Sequence, residues 1–161
     1  MPILRKATSR DFDFYYSLKC EPSAVYWGGF SEAPTKEGLK TFWNKYVIQN
    51  DHDREIMIME EGAIPVGYIQ AVFDNDCVGL SIGIVESSRG KGYGKKIISF
   101  AVNNYKEYEC FYCYIREDNQ SSIGSFMANG FKAVKDDWYM SFFPMDNKEF
   151  LMRRFELHLK R

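Results

Sequence analysis

The sequence predicts an α/β (α+β) fold, a hairpin-rich sheet packed against helices. Short β-prone runs alternate with amphipathic segments of helical period along the chain. The Glu61-Gly62 pair joins two such runs with a strong hairpin signal. A chain of 161 residues, 45% of them hydrophobic, is long enough to bury a core without disulfide or metal staples. No repeat, low-complexity tract or linker interrupts it, so residues 1–161 are expected to form a single domain.

The elements follow in order. Residues 3–8 make a first strand, after which Ser9 and Asp11 open a short helix reaching Leu18. Residues 21–34, rich in Gly, Ser and aromatics, have no period and are expected as a loop. Thr35 caps a helix in which Leu39, Phe42, Trp43, Tyr46 and Val47 recur at steps of three and four. Residues 55–60 and 64–73 are the two hairpin strands, Asp74-Asn75-Asp76 is the next turn, and 78–85 is a further strand. A glycine-rich turn then leads into a helix with Tyr93, Ile97, Ile98, Ala101, Val102 and Tyr105 on one face. Residues 111–115 form a strand, and a helix from Asn119 ends at Asn129-Gly130, where glycine suits the left-handed cap. Residues 131–134 and 138–143 read as a closing hairpin. A last helix is predicted over 150–159, with Leu151, Phe155 and Leu159 at steps of four and Arg153, Arg154, Lys160 and Arg161 near its end.

Lys plus Arg at 21 against Asp plus Glu at 22 leave a formal charge of −1, so no overall field draws the chain to nucleic acid or an anionic membrane. The basic end of the predicted last helix is the one feature that favours a nucleic-acid module. The apolar runs stop far short of the ~20 residues of a membrane span, and the first residues lack a signal peptide's apolar stretch. The expectation is a cytoplasmic monomer or homodimer with neither a membrane nor a nucleic-acid partner. The four cysteines are expected as reduced, mostly buried thiols. Cys110 and Cys113 have redox or zinc spacing, but on a strand they point to opposite faces and cannot chelate together. His52 and His158 stand apart from any Cys pair in the sequence, so no metal is expected.

The chemistry concentrates in Arg89-Gly90-Lys91-Gly92-Tyr93-Gly94, between a buried strand and an amphipathic helix. Oriented N–H groups and the positive helix end make such a turn an anion site. A dinucleotide fingerprint fails on spacing, because counting from Gly90 and Gly92 its last glycine falls on Lys95. A Walker A loop fails because Gly94-Lys95 is followed by Lys96. The pattern Arg-x-x-Gly-x-Gly, reached directly from Leu80-Ser-Ile-Gly-Ile-Val, resembles the pyrophosphate loop of the GNAT N-acetyltransferase superfamily. Asn119, opening a helix that ends in Gly130-Phe131, is similar to that family's later segment.

This resemblance, clear over residues 78–134, implies a central mixed, mostly antiparallel sheet whose fourth and fifth strands splay apart to hold acetyl-CoA as co-substrate. It implies that Ile82, Gly83 and Ile84 offer backbone groups to the pantetheine arm and thioester. Gly90, Gly92, Tyr93, Gly94 and Lys95 would cradle the pyrophosphate with main-chain N–H groups, and Arg89 and Lys91 would add charge. Asn119 would bond the pantetheine arm, and Phe126 would line the sulfur. The implied reaction is direct attack of a primary amine on the thioester, the acceptor being a small-molecule or protein amine. Many members have a tyrosine where Phe126 stands, and a phenyl ring donates no proton. Either Tyr114, Ser122, Ser125 or Tyr139 is then the acid or the thiolate leaves to water, and Glu86 and Glu117, after the two splayed strands, are the candidate bases. Phe126 also supports a second reading, a catalytically silent acyl-CoA-binding sensor or interaction module. Acceptor choice would fall to residues 15–46, where Tyr26, Trp27, Phe30, Phe42, Trp43, Glu21, Glu32 and Glu37 lie.

Overall fold

A computed structural model describes residues 1–160, so Arg161 of the predicted basic terminus lies outside the described residues. These residues form one seven-stranded sheet in the order β1-β2-β3-β4-β5-β7-β6. Its strands are β1 Pro2–Lys6, β2 Arg54–Glu61, β3 Ile64–Asp74, β4 Cys77–Ile84, β5 Cys110–Arg116, β6 Lys132–Phe143 and β7 Lys148–His158. The helices are α1 Phe12–Lys19, α2 Pro22–Trp27, α3 Lys36–Trp43, α4 Tyr93–Asn104 and α5 Gln120–Met127. Neighbouring strands are antiparallel except β4 and β5, which run parallel. The mixed sheet expected from the sequence is therefore present.

Period 2 along the strands divides the apolar residues between two cores. On one face Ile69, Val78, Leu80, Phe111, Cys113 and Ile115 meet Ile97, Ile98 and Ala101 of α4 and Phe126 of α5. On the other, Ile56, Ile58 and Tyr68 meet Phe12, Tyr15 and Leu18 of α1 and Trp43 of α3. Tyr15 lies 5.1 Å from Trp43 and 5.0 Å from Tyr68 between ring centroids, so aromatic edges fix how α1 and α3 sit on the sheet. The buried Asp11 ties β1 to the start of α1. It accepts from Arg5 Nη1 at 2.8 Å and Nη2 at 2.9 Å and from the Thr8 N–H at 2.8 Å. Burial alone would raise this carboxyl, but those bonds hold it below the usual carboxylate range.

The structure corrects four expectations. The predicted terminal helix over 150–159 is the strand β7, paired to β5 on one side and β6 on the other. A step of four is also a multiple of two, so Leu151 and Phe155 share a strand face as readily as a helix face. The arginines predicted to end that helix are engaged along β7: Arg153 Nη1 donates to the Lys135 carbonyl at 2.8 Å and Arg154 Nε to Glu156 at 3.1 Å. Residues 131–134 and 138–143 are not two strands of a hairpin but one strand, β6, whose pairing with β7 is irregular between Ala133 and Trp138. The expected loop at 21–34 contains α2, opened by Pro22 at its first position, where the missing N–H costs nothing. Finally, the cysteines are not four free thiols. Cys77 and Cys110 stand opposite each other where β4 and β5 pair, with Cα atoms 4.5 Å apart, and are joined as a disulfide. Cys20 and Cys113 are free, and burial pushes the Cys113 thiol up.

Candidate active site

Strands β4 and β5 pair only at Cys77 with Cys110, Val78 with Phe111 and Gly79 with Tyr112. Beyond Gly79, β4 stays bonded to β3 and β5 to β7. The edges of Leu80–Ile84 and of 113–116 that face each other thus carry N–H and C=O groups with no strand partner. Such groups seek hydrogen bonds. A wedge lined by main-chain donors and acceptors is the result, and it is what a ligand with amide groups along an extended arm can fill.

At its mouth the chain turns through Glu86–Ser88 and enters α4. Gly90 and Gly92 have φ of +76° and +83°, and Gly92 is the N-cap of α4. This left-handed conformation is open to glycine and strained for other residues. A Cβ built on either glycine meets no protein atom within 4 Å, so the turn faces open space on that side. The first turn of α4 presents N–H groups that lack intrahelical acceptors, at the positive end of the helix. Gly94 serves another purpose: a Cβ there would lie 2.9 Å from Ser125 Oγ, so its absence lets α5 approach α4. Asn129 Nδ2 clamps the pair, donating to the carbonyls of Lys95 at 3.0 Å and Ser125 at 2.9 Å. The open cradle and the unpaired wedge backbone fit the pyrophosphate and pantetheine portions of acetyl-CoA.

The predicted binding residues lie on β4, on the turn that follows it, at the start of α4 and on α5 with its N-cap. Ile82 and Ile84 are half-buried against the α4-side core, and Gly83 lies half-buried between them. Lys91 and Lys95 are exposed. Arg89 is engaged within the protein: its Nε donates to the Ile84 carbonyl at 3.1 Å and its Nη2 lies 3.9 Å from Glu21. Glu21 in turn accepts from the Glu86 N–H at 3.1 Å, pinning the loop after β4 to the end of α1. Tyr93 OH lies 3.4 Å from Glu61; burial, then that carboxylate, raises the phenol. Asn119 caps α5, its side chain accepting from the Ser122 N–H at 3.3 Å. Phe126 is buried with its ring centroid 5.0 Å from that of Phe131.

The candidate catalytic groups are more dispersed. Tyr114 lies in the splayed half of β5, and its hydroxyl donates to Asp137 at 2.8 Å. Its ring is 5.1 Å from Tyr139, and Arg154 lies over the neighbouring Tyr112 at 4.1 Å. Glu117 is exposed, with its N–H donating to the Leu151 carbonyl at 3.0 Å. Ser122 is half-buried in the first turn of α5. Asp137 and Arg116 escaped the sequence reading. Arg116, 3% exposed at the end of β5, is enclosed by Trp27, Phe150 and Phe143 at 4.3, 3.8 and 4.6 Å, and it bonds Asp118 at 2.6 Å and the Tyr26 hydroxyl at 2.8 Å. This cluster fastens α2 to the β6–β7 turn beside the wedge. The spacing Arg116-x-Asp118 was its only local signal, because the aromatic walls come from distant segments.

Residues 14–131 match the model of the acetyltransferase (GNAT) family. No curated protein sequence matches the chain at a significant level. Among solved structures, spermidine N-acetyltransferase from Vibrio cholerae in complex with CoA and spermine is similar at a TM-score of 0.84 and 16% identity, over 98% of this chain and 95% of that one. An N-acetyltransferase from Staphylococcus aureus Mu50 gives 0.82 and 18% over 99% of both chains. A phosphinothricin acetyltransferase from Sinorhizobium meliloti in complex with AcCoA gives 0.79 and 19%, over 98% of this chain and 88% of that one.

Proposed function

Because the chain belongs to the acetyltransferase (GNAT) family, we propose that it transfers an acetyl group from acetyl-CoA to a primary amine by direct attack in a ternary complex. The observation that carries this reading is the unpaired β4–β5 wedge opening onto the cradle of Gly90 and Gly92. In it, Ile82, Gly83 and Ile84 bond the pantetheine arm through their main chain, and the N–H groups of residues 90–95 bind the pyrophosphate. Lys91 and Lys95 add charge from solvent. Acetyl-CoA supplies the activated acyl group.

The acceptor approaches the opposite side of the wedge, where Tyr114, Tyr139 and Asp137 share a hydrogen-bonded, aromatic surface. This suits a small-molecule amine, the acceptor class named for the similar Vibrio and Sinorhizobium enzymes. Tyr114 is the favoured proton donor to the departing thiolate, with Ser122 the other candidate, and Glu117 the favoured carboxylate to accept the amine's proton through water. Strand N–H groups in the wedge meet the developing oxyanion. Phe126, which has no proton to give, supports a second reading as a silent acyl-CoA-binding sensor. One experiment separates them: incubate the protein with acetyl-CoA and a panel of polyamines, amino acids and peptide amines, and measure free CoA. Amine-dependent CoA release is expected. Tight acetyl-CoA binding without release from any amine would favour the sensor.

A further inference from the structure

The far end of β4 and β5 carries a second side-chain cluster, assembled by pairing across three strands. Cys77 stands opposite Cys110 in the parallel β4–β5 pair, and Cys110 stands opposite His158 in the antiparallel β5–β7 pair. Glu156, two residues before His158, shares its face of β7. The sulfur of Cys110, a carboxylate oxygen of Glu156 and a ring nitrogen of His158 all lie within 4.8 Å of one another. Cys77 adds a second sulfur through its disulfide to Cys110. Glu156 is oriented for the group: Oε1 lies 3.4 Å from His158 Nε2, while Oε2 accepts from Arg154 Nε at 3.1 Å.

Two sulfurs, an imidazole and a carboxylate are a zinc donor set, and the sulfurs disfavour magnesium or calcium. Zinc bond lengths of about 2.0 to 2.3 Å put neighbouring ligands of a tetrahedron roughly 3.3 to 3.8 Å apart, so the Cys110, Glu156 and His158 donors need a modest contraction. The Cys77 sulfur, outside that group, must part from Cys110 and turn toward the ion once the bond is reduced. His158, whose side chain is 68% exposed, has room to make it. The second carboxylate bond to Arg154 is the outer-shell support that orients a metal ligand. Two thiolates, one carboxylate and a divalent ion sum to −1, which the Arg154 guanidinium offsets.

We infer that, once the Cys77–Cys110 bond is reduced, Cys77, Cys110, Glu156 and His158 bind one zinc ion, so that the two sulfurs alternate between a disulfide and a metal site. Two equivalents of a small-molecule thiol supply two electrons and two protons to the disulfide and leave as their own disulfide. Zinc then displaces the two thiol protons and forms two S–Zn bonds. The site is independent of the proposed acetyl transfer: Cys77 and Ile84 are the two ends of β4, about 23 Å apart at ~3.3 Å per residue. Either link holds β4 to β5 at the root of the wedge.

The test titrates the full chain, reduced with a non-chelating phosphine, with zinc alone and with cobalt as a spectroscopic substitute. One equivalent should bind, with a thiolate-to-cobalt charge-transfer band and tetrahedral ligand-field bands, and the disulfide form should bind none. Cys77→Ser should weaken the band, one thiolate being left, Cys77→Ser with Cys110→Ser should abolish it, and His158→Gln should weaken zinc binding at least about tenfold. Cys20→Ser and Cys113→Ser should leave it unchanged. Absence of zinc uptake by the reduced wild type would overturn the inference. So would wild-type zinc affinity in folded His158→Gln, a change on an exposed side chain that tests the site even where a cysteine variant fails to fold.

Discussion

Replacing Gly92 by valine separates the strain of a left-handed residue from the blocking of an anion. At φ +83° a valine costs the free protein at least about 1–2 kcal/mol, since the left-handed region crowds Cβ against the backbone. Its Cβ adds no clash, because nothing lies within 4 Å of that atom. The isopropyl group instead occupies the open side of the cradle, where phosphate oxygens approach the N–H groups. At a ligand concentration of 100 times Kd, acetyl-CoA stabilises the wild type by about 2.7 kcal/mol. For a chain of this size that raises Tm by roughly 5–11 °C. A hundredfold loss of affinity leaves only about 0.4 kcal/mol at the same concentration, a rise of about 1–2 °C. Gly62→Val is the matched control: Gly62 has φ +57°, its Cβ also meets nothing within 4 Å, and it lies in the β2–β3 turn. Thermal denaturation with and without acetyl-CoA should show both variants destabilised and the ligand-induced rise cut to about 1–2 °C only in Gly92→Val. An undiminished ligand-induced rise in Gly92→Val would refute the pyrophosphate assignment.

Tyr114→Phe removes the hydroxyl bonded to Asp137; it should cost about 1 kcal/mol in urea unfolding and lower turnover by about 10² if that hydroxyl is the acid. An unchanged kcat would eliminate Tyr114 from that role. Phe126→Tyr should change turnover while acetyl-CoA affinity stays nearly constant; destabilisation by about 1–3 kcal/mol with unaltered kinetics would place the ring edge in the core, remote from the sulfur. Asp11, held below its ordinary value of about 3.9, stabilises the fold above that pH and loses this contribution as pH falls through its lower folded value. Asp11→Asn should therefore cost about 1–3 kcal/mol at pH 7, discounted because Arg5 is 33% exposed, and flatten the acid limb of stability below about pH 4. An unchanged acid limb in the variant would show that another group carries it.

Local chemistry made much of this protein legible from its sequence. The Glu61-Gly62 turn, the alternating strands around it and the glycines before Tyr93 each act through neighbours a few residues away, so the β2–β3 hairpin, β4 and the entry to α4 could be read directly. Asn119 likewise announces its cap by its position before α5. Tertiary structure alone decided what depends on pairing between distant strands. Leu151 and Phe155 satisfy a helix and a strand equally, and only the open edges of β5 and β6 make β7 a strand. Cys110 was rightly separated from Cys113 by the period of a strand. Its actual partner, Cys77, is 33 residues away and is set opposite it by the parallel register. The wedge itself has the same origin: it opens where β4 and β5 stop pairing beyond Gly79, a divergence between strands distant in sequence that no residue-by-residue propensity encodes.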